Sequence, residues 1–418
     1  MADVCIVGLG RLGSPLAAVL AAAGHTVHGV DPFSPGAVDA INDGRAPVSE
    51  TGLDDLIASL PEGQLTASTS YADGPRHADM TFVVVPTPSD ANGRFDPSAV
   101  LDACQQTVRH VDPARDPHTL VVCSTVMPGT MEAHVVPLVA DEAARRSVEV
   151  TVSYSPEFVA LGSVIHDMHW PDLVLIGADD PSTHDRVARV LATVSGGHFP
   201  HVACLSLIDA EIAKIALNSA LVTKISLANT IAEVCEATPG ADARAVLDTL
   251  GHDSRIGPKF LRAGASAGGP CLQRDSVAMA SFLRCAGVLP WLAEATQSVN
   301  DHQVVRAARR LASYSRVAIL GLAYKPGTSV YEQSFGLRVA EALIAAGVTV
   351  VCHDPLARPH GLTLAGGAQE AVDQVDAVLV ATAWPEYATV DVGGRFTIDT
   401  WGVLRPQSGV IVTGRSTG

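Results

Sequence analysis

Lysine is nearly absent from this chain of 418 residues: only Lys214, Lys224, Lys259 and Lys325 occur. Charge as a whole is scarce, 17% of residues, and acids outnumber bases by 44 to 28 for a net −16. That sign excludes a protein that neutralises phosphates along DNA or RNA, and leaves room for a small anionic ligand at a local site. Eight cysteines occur without a single CxxC spacing, and most lie inside apolar runs, where a thiol acts as a small hydrophobe. A disulfide framework and a zinc site are therefore not expected, and no metal is assigned. No apolar run is read as reaching the roughly 18 residues of a membrane span. The start, Met1-Ala2-Asp3-Val4, lacks the basic region of a signal peptide. A cytoplasmic enzyme with no membrane partner is the expected class.

What the chain has is apolar mass. Hydrophobic residues make up 47%, enough for large cores and excluding a disordered tail protein. At roughly 100–200 residues per domain the length suggests two to four domains.

The first thirty residues read strand, turn, helix, strand. Val4-Cys5-Ile6-Val7 is a short apolar run, Gly8-Leu9-Gly10-Arg11-Leu12-Gly13 is a GxGxxG turn, Ser14 to Ala23 is an Ala/Leu-rich helix, and Thr26 to Val30 is a second strand ending at Asp31. Glycines at this spacing permit a tight turn and close approach of a pyrophosphate to a helix N-terminus. Asp31, at the end of the second strand, suits the ribose hydroxyls and repels a 2′-phosphate, and no Arg follows in Pro32-Phe33-Ser34-Pro35. NAD is favoured over NADP. A turn that only packs is the alternative.

The alternation continues with strands at Met80 to Val85, Leu120 to Ser124, Val148 to Ser153 and Leu173 to Ile176, and a helix around Ser98 to His110. Thr87, Thr125 and the Ser155-Pro156-Glu157 turn follow strand ends, where open α/β sheets bind ligands. Ser206 to Ala237 has no Pro or Gly and reads as one unusually long helix, bridging two domains or forming a dimer interface. Arg316 to Leu322 then resembles Asp3 to Leu9, Gly347 to Pro355 mirrors Gly24 to Pro32, and Asp376 to Ala383 mirrors Asp79 to Pro86. The second copy reads Gly321-Leu322-Ala323-Tyr324-Lys325-Pro326, so the fingerprint is lost and a second NAD is not expected. The fold class predicted is α/β: two Rossmann-like doubly wound domains joined by a long central helix and a helical dimerisation region. The boundaries expected are 1–200 for the NAD domain, 201–300 for the helical centre and 301–418 for a nucleotide-substrate domain facing the first across a cleft.

Chemistry concentrates in the middle. In Gly268-Gly269-Pro270-Cys271-Leu272-Gln273-Arg274-Asp275, Pro suits a helix start. A Cys in the first turn feels the helix's partial positive charge, which favours thiolate. Asp275 lies four residues on, sharing its face. Cys271 is an activated nucleophile or a structural thiol on this reading. Lys214 and Asn218 also stand four apart among Ile212, Ile215, Ala216 and Leu217, either snorkelling to solvent or addressing a buried site.

The motifs together resemble the UDP-glucose/GDP-mannose dehydrogenase family, NAD-dependent nucleotide-sugar 6-dehydrogenases, over nearly the whole chain. The matching segments are Gly8 to Gly13, Gly44 to Leu53 (GxxPxxExGL), Pro86-Thr87-Pro88, Ser124 to Thr130, Ser155 to Phe158, Glu211 to Asn218 (ExxKxxxN), Arg255-Ile256-Gly257, Gly268 to Cys271 with Asp275, and Gly321 to Pro326. The resemblance implies oxidation of the C6 alcohol of a nucleotide sugar twice, with NAD. It makes Cys271 the nucleophile that passes through a thiohemiacetal and thioester, and Lys214 and Asn218 the oxyanion stabilisers. Asp275 with Thr125 would act in the alcohol step, and Glu157 would be general base for hydrolysis. Cofactor contacts fall to Gly8, Gly10, Arg11, Leu12, Gly13, Asp31, Thr87, Thr125 and Glu157. Substrate contacts fall to Phe158, Lys214, Asn218, Lys259, Phe260, Gly268, Gly269, Lys325 and, from a neighbouring subunit of a homodimer, Arg255.

The pattern departs from the family at four places. Val159-Ala160-Leu161-Gly162 stands where Leu-Arg-Glu-Gly is usual, Ser266-Ala267 replaces Gly-Phe before Gly268, and Arg274 replaces Lys. Ser329 to Ser334 replaces Asp-Asp-x-Arg-x-Ser, putting Glu332 where an Arg usually meets the cofactor pyrophosphate. Two alternatives stay open: an atypical nucleotide-linked substrate, with oxidation stopping at the aldehyde, or a noncatalytic nucleotide-binding homologue. A hydroxyacid dehydrogenase of the same broad superfamily, which needs no cysteine, is a further enzyme alternative.

Overall fold

The computed structural model describes residues 1–115, 117–196 and 200–416, which gather into two compact units, Met1–Lys214 and Ile215–Gly418. In the first, β1 (Asp3–Val7), β2 (Thr26–Val30), β3 (Leu65–Ser68), β4 (Met80–Val83), β5 (His118–Val122), β6 (Val150–Tyr154), β7 (Leu173–Ala178) and β8 (His201–Leu205) form one sheet in the order β3-β2-β1-β4-β5-β6-β7-β8. All neighbours pair in parallel except β6 with β7. In β1, Val4 and Ile6 join the apolar cluster on one face with Leu16 and Phe82, while Cys5 and Val7 join the other with Leu120 and Met131. Burial on both faces is why such strands read as continuous apolar runs rather than alternating ones.

The second unit carries β9 (Arg316–Leu320), β10 (Thr349–His353), β11 (Ala377–Val380), β12 (Phe396–Asp399) and β13 (Val410–Val412), all parallel, in the order β10-β9-β11-β12-β13. This is the order of β2-β1-β4-β5, so the predicted repeat is present in the sheet as well as in the sequence. It extends to single atoms. Gly8 and Gly321 have φ of 96° and 103°, and each donates its N–H at 2.8 Å to the last carbonyl of the neighbouring strand, Val30 and His353. A Cβ on Gly13 would lie 1.8 Å from the Gly8 carbonyl oxygen, and one on Gly336 would lie 2.0 Å from that of Gly321. Gly336 is thus the counterpart of Gly13. The second copy inserts the segment with Lys325 and Glu332 between its paired glycines, which hides the fingerprint from a reading by spacing.

The long helix is present as Leu207–Ala237, 31 residues. Against the expectation that no such run exists, it is long and apolar enough to cross a membrane by length and composition. Its setting is that of a core helix: Ala210, Ile215, Val222, Ala228 and Ala232 are buried, and so are Glu211, Lys214, Asn218 and Asn229, each hydrogen-bonded within the protein. Alanine favours a helix interior over glycine by about 1 kcal/mol. Gly336→Ala is nevertheless expected to destabilise the protein by about 1–3 kcal/mol through the clash with Gly321, measured as a lower urea midpoint; an unchanged midpoint would contradict the close approach.

Candidate active site

The first unit places the dinucleotide fingerprint as its residues require. Gly8 makes the turn, Gly13 lets the helix Gly13–Ala22 approach β1, and around Gly10 a Cβ would meet nothing within 4 Å, a cradle open to a ligand. Gly10 and Arg11 are exposed, and Leu12, the N-cap, provides no side-chain cap. Ser14 and Leu16 N–H donate to the Gly10 and Leu12 carbonyls and Pro15 has none, so an anion here would be drawn by the glycine turn and the positive end of the helix dipole. Asp31 is buried, its Oδ2 accepting Leu9 N–H at 2.9 Å and its Oδ1 accepting Phe33 N–H at 3.1 Å. A carboxylate offers about four lone-pair sites, so one on each oxygen is left for ribose hydroxyls. Open cradle, uncapped helix start and partly engaged acid all fit NAD. In the repeat, Asp354 accepts from Leu322, Ala323, Leu356 and Ala357 N–H and from Trp384 Nε1, five donors on a fully buried carboxylate. The same residue there has become structural.

Thr87 and Thr125 stand together, Thr87 Oγ1 donating to the Thr125 carbonyl at 2.8 Å. Glu157 follows β6, with Leu16, Val159, Met168 and Leu191 among the residues lining a cavity of about 30 Å³ beside it. Burial pushes its carboxyl up to about 7, opposed by the positive charge of Lys214. Buried Lys214 donates from Nζ to the Glu157 carbonyl oxygen at 2.6 Å and lies 4.4 Å from the centre of the Phe158 ring. The lysine therefore does not snorkel: it addresses the loop that bears Glu157.

Two acids that the sequence offered only as motif letters hold these loops. Glu211, one turn before Lys214 and fully buried, accepts Gly129 N–H at 2.7 Å and Met131 N–H at 2.9 Å, fastening the segment that follows Thr125. Burial pushes its carboxyl up to about 7 as well. Glu50 accepts Gly162 and Val164 N–H at 2.7 and 3.0 Å, closing the stretch after Glu157. The ExxKxxxN and GxxPxxExGL patterns were the available signal.

In the second unit Asn218 donates from Nδ2 to Asp275 Oδ2 at 2.6 Å, both buried. Asp275 Oδ1 is buried, faces Arg274 Nε at 3.5 Å and accepts no hydrogen bond, an acceptor with capacity to spare. Cys271 is exposed and is the N-cap of the helix Leu272–Cys285 rather than a residue of its first turn, and its carbonyl accepts Asp275 N–H at 2.9 Å. By contrast, burial pushes Cys5, Cys104 and Cys352 up to about 12, which keeps them inert thiols. The Gly268-Gly269 pair has a packing reason. A Cβ on Gly269 would lie 2.9 Å from the Tyr324 ring and one on Gly268 3.0 Å from the Gln333 carbonyl, while Gly269 N–H donates to the Glu332 carbonyl at 2.9 Å. The inserted segment of the repeat thus clamps the turn before Cys271, and it also carries Lys325, whose Nζ lies 5.9 Å from the Tyr324 ring centre.

Two asparagines missed in the sequence complete the clamp. Asn300 Oδ1 accepts Ala267 N–H at 2.6 Å and its Nδ2 donates to the Ala267 carbonyl at 3.2 Å. Asn229 does the same for Gly264 N–H and the Ala265 carbonyl, at 2.9 and 3.1 Å. Both amides are buried and supply the pairing that a neighbouring strand would give. Arg255 is exposed and forked onto Asp253 at 2.6–3.2 Å. Lys259 and Phe260 are exposed beside it in sequence, and Phe260 holds a φ of 62°, unusual for a bulky residue. No group of three or more His, Cys, Asp or Glu side chains able to hold a metal occurs among the described residues.

Residues 2–195, 208–302 and 318–406 match, in turn, the NAD binding, central and UDP binding domains of the UDP-glucose/GDP-mannose dehydrogenase family. The UDP-glucose 6-dehydrogenase AglM of Haloferax volcanii is 35% identical over 402 residues, 93% of either chain. A GDP-mannose 6-dehydrogenase of Pseudomonas syringae pv. tomato is 32% identical over 86% of this chain and 82% of its own. A UDP-glucose dehydrogenase structure from Pyrobaculum islandicum superposes with a TM-score of 0.88 at 33% identity, covering 96% of this chain and 95% of that one.

Removing Asn300 takes the partner from the buried Ala267 N–H, at about 1–3 kcal/mol, while the Ala267 carbonyl keeps Gln273 Nε2 at 3.2 Å. Asn300→Ala is expected to cost about 1–3 kcal/mol in urea unfolding; a loss under about 0.5 kcal/mol, the range of an ordinary surface change, would show that the clamp carries little.

Proposed function

The chain belongs to the UDP-glucose/GDP-mannose dehydrogenase family, and from that premise we propose that it oxidises the C6 primary alcohol of a nucleotide-linked hexose, of the UDP-hexose kind, to the uronic acid. One observation carries this most: Cys271 is exposed at a helix start whose next turn holds Asp275 on Asn218. NAD, when bound, accepts the hydride of each oxidation, two per substrate. Asp275, its Oδ1 free to accept, takes the alcohol proton with Thr125 placing a water. Lys214 and Asn218 balance negative charge on the sugar oxygen. The Cys271 sulfur bonds to the aldehyde carbon to give a thiohemiacetal, whose oxidation leaves a thioester. Glu157 removes a proton from the water that hydrolyses it, releasing the acid and the thiol with one water consumed.

In this reading residues 1–200 hold the cofactor, 201–300 contribute the nucleophile and the surface of a homodimer, and 301–418 hold the nucleotide. Phe158, Lys259, Phe260, Gly268, Gly269 and Lys325 contact the substrate, and Arg255 does so from the partner subunit. Its setting is the cytoplasm. The relatives' names support both UDP- and GDP-linked sugars, and the 35% identity to AglM favours the uridine series. Glu332, in place of a cation, favours a second reading in which oxidation stops at the aldehyde. The stoichiometry decides between them. We expect two NADH for each nucleotide sugar consumed, with acid formation lost in Cys271→Ser; one NADH and an aldehyde product would overturn the four-electron reaction.

A base acts ionised, so with Glu157 at about 7 acid formation is expected to rise with pH through about 7 and level off above it. Glu157→Gln should lower the rate by about 10²–10⁴-fold and abolish this rise. A profile that keeps its rise in the variant would assign the titration elsewhere, with Glu211 as the other acid in that range.

A further inference from the structure

Phe33 is 87% exposed, more than any other described large apolar residue except Met1. Among the described residues it belongs to none of the apolar clusters. Its backbone, however, is fixed. Asp31 Oδ1 accepts the Phe33 N–H at 3.1 Å across Pro32, closing a turn two residues wide, and the helix Pro35–Asn42 starts directly after Ser34, which holds the N-cap position without a side-chain cap bond. Proline locks its own φ, so the Phe33 backbone is anchored a short step beyond the Asp31 carboxylate. A Cβ on Gly10, in the turn whose Leu9 N–H reaches Asp31, or on Gly36, three residues after Phe33, would meet nothing within 4 Å.

Ribose chemistry then locates the base. The carbon bearing the 2′-hydroxyl adjoins the carbon bearing adenine, so a carboxylate that accepts from that hydroxyl has the base beside it. We propose that Phe33 is the platform on which the adenine of NAD stacks, a cofactor-affinity residue outside the fingerprint. The proposal rests on the reading of Asp31 as the ribose acid. Stacking needs a flat exposed π-face carried on a fixed backbone and outside the described apolar clusters, and Phe33 meets each condition.

The test is calorimetric binding of NAD, ADP-ribose and nicotinamide mononucleotide to the full chain and to Phe33→Ala and Phe33→Trp. Base–aromatic stacking sets the scale, and we expect Phe33→Ala to weaken NAD and ADP-ribose about fivefold or more, with Phe33→Trp retaining or tightening both. The mononucleotide, which has no adenine, should bind each form alike. Because the ring is exposed and outside the core, the urea midpoint of Phe33→Ala should match the parent. ADP-ribose affinity within twofold of the parent in Phe33→Ala overturns the proposal while leaving the dinucleotide site intact. Equal weakening of the mononucleotide overturns it too, since that is distortion rather than stacking. Failure of the parent to bind ADP-ribose at all overturns the Asp31 reading and the stacking with it.

Discussion

A polar side chain withdrawn from water must find a partner, and on the helix Leu207–Ala237 that constraint is met four times, by three loop segments and by the helix Leu272–Cys285. Glu211 takes the backbone after Thr125, Lys214 the carbonyl of Glu157, Asn218 the carboxylate of Asp275, and Asn229 the approach to Cys271. Leaving such a group unpaired costs about 1–3 kcal/mol, more for a charge. Each loop is therefore held by an interaction that the helix cannot do without. This is why a helix apolar enough to cross a membrane carries an acid, a lysine and two amides at buried positions.

The two sheets show one backbone solution put to two uses. In both, a left-handed glycine ends the first strand, a second glycine allows the helix to close on it, and an aspartate ends the next strand. At Asp31 two donors leave room for a ligand; at Asp354 five donors leave none, and the carboxylate only ties together Leu322, Ala323, Leu356, Ala357 and Trp384. The second copy spends its freed turn on an insertion, and that insertion presses Tyr324 and the Glu332 carbonyl against Gly268 and Gly269. A repeat without the pyrophosphate turn thereby takes part in shaping the turn before Cys271.

Much of this was legible in the residues. The helix Ser98–His110 and the strand Thr26–Val30 fall where periodicity places them, because burial on both strand faces and on one helix face leaves a strong local signal. Gly8 and Gly13 were readable because a left-handed turn and a close helix–strand approach each demand glycine. Short strands such as Leu65–Ser68 and Val410–Val412 were not read, since their pairing partners lie far away in sequence and their own burial is partial. Gly336 was hidden by the insertion before it. Asn229 and Asn300 were beyond reach as anchors, and Glu50 and Glu211 showed only as motif letters: a side chain that caps backbone tens of residues away leaves no periodicity, and only the tertiary fold reveals its partner.

The account centres on Cys271 as the atom that carries the substrate between two oxidations. The most direct measurement is intact-protein mass of Glu157→Gln after incubation with NAD and a nucleotide sugar, followed by peptide mapping. Slowed hydrolysis should let a thioester accumulate, seen as one added uronyl nucleotide per chain on the peptide containing Cys271 and removed by hydroxylamine. Turnover of the sugar by the parent with no adduct on that peptide in the variant, or an adduct mapped to another residue, would contradict the account.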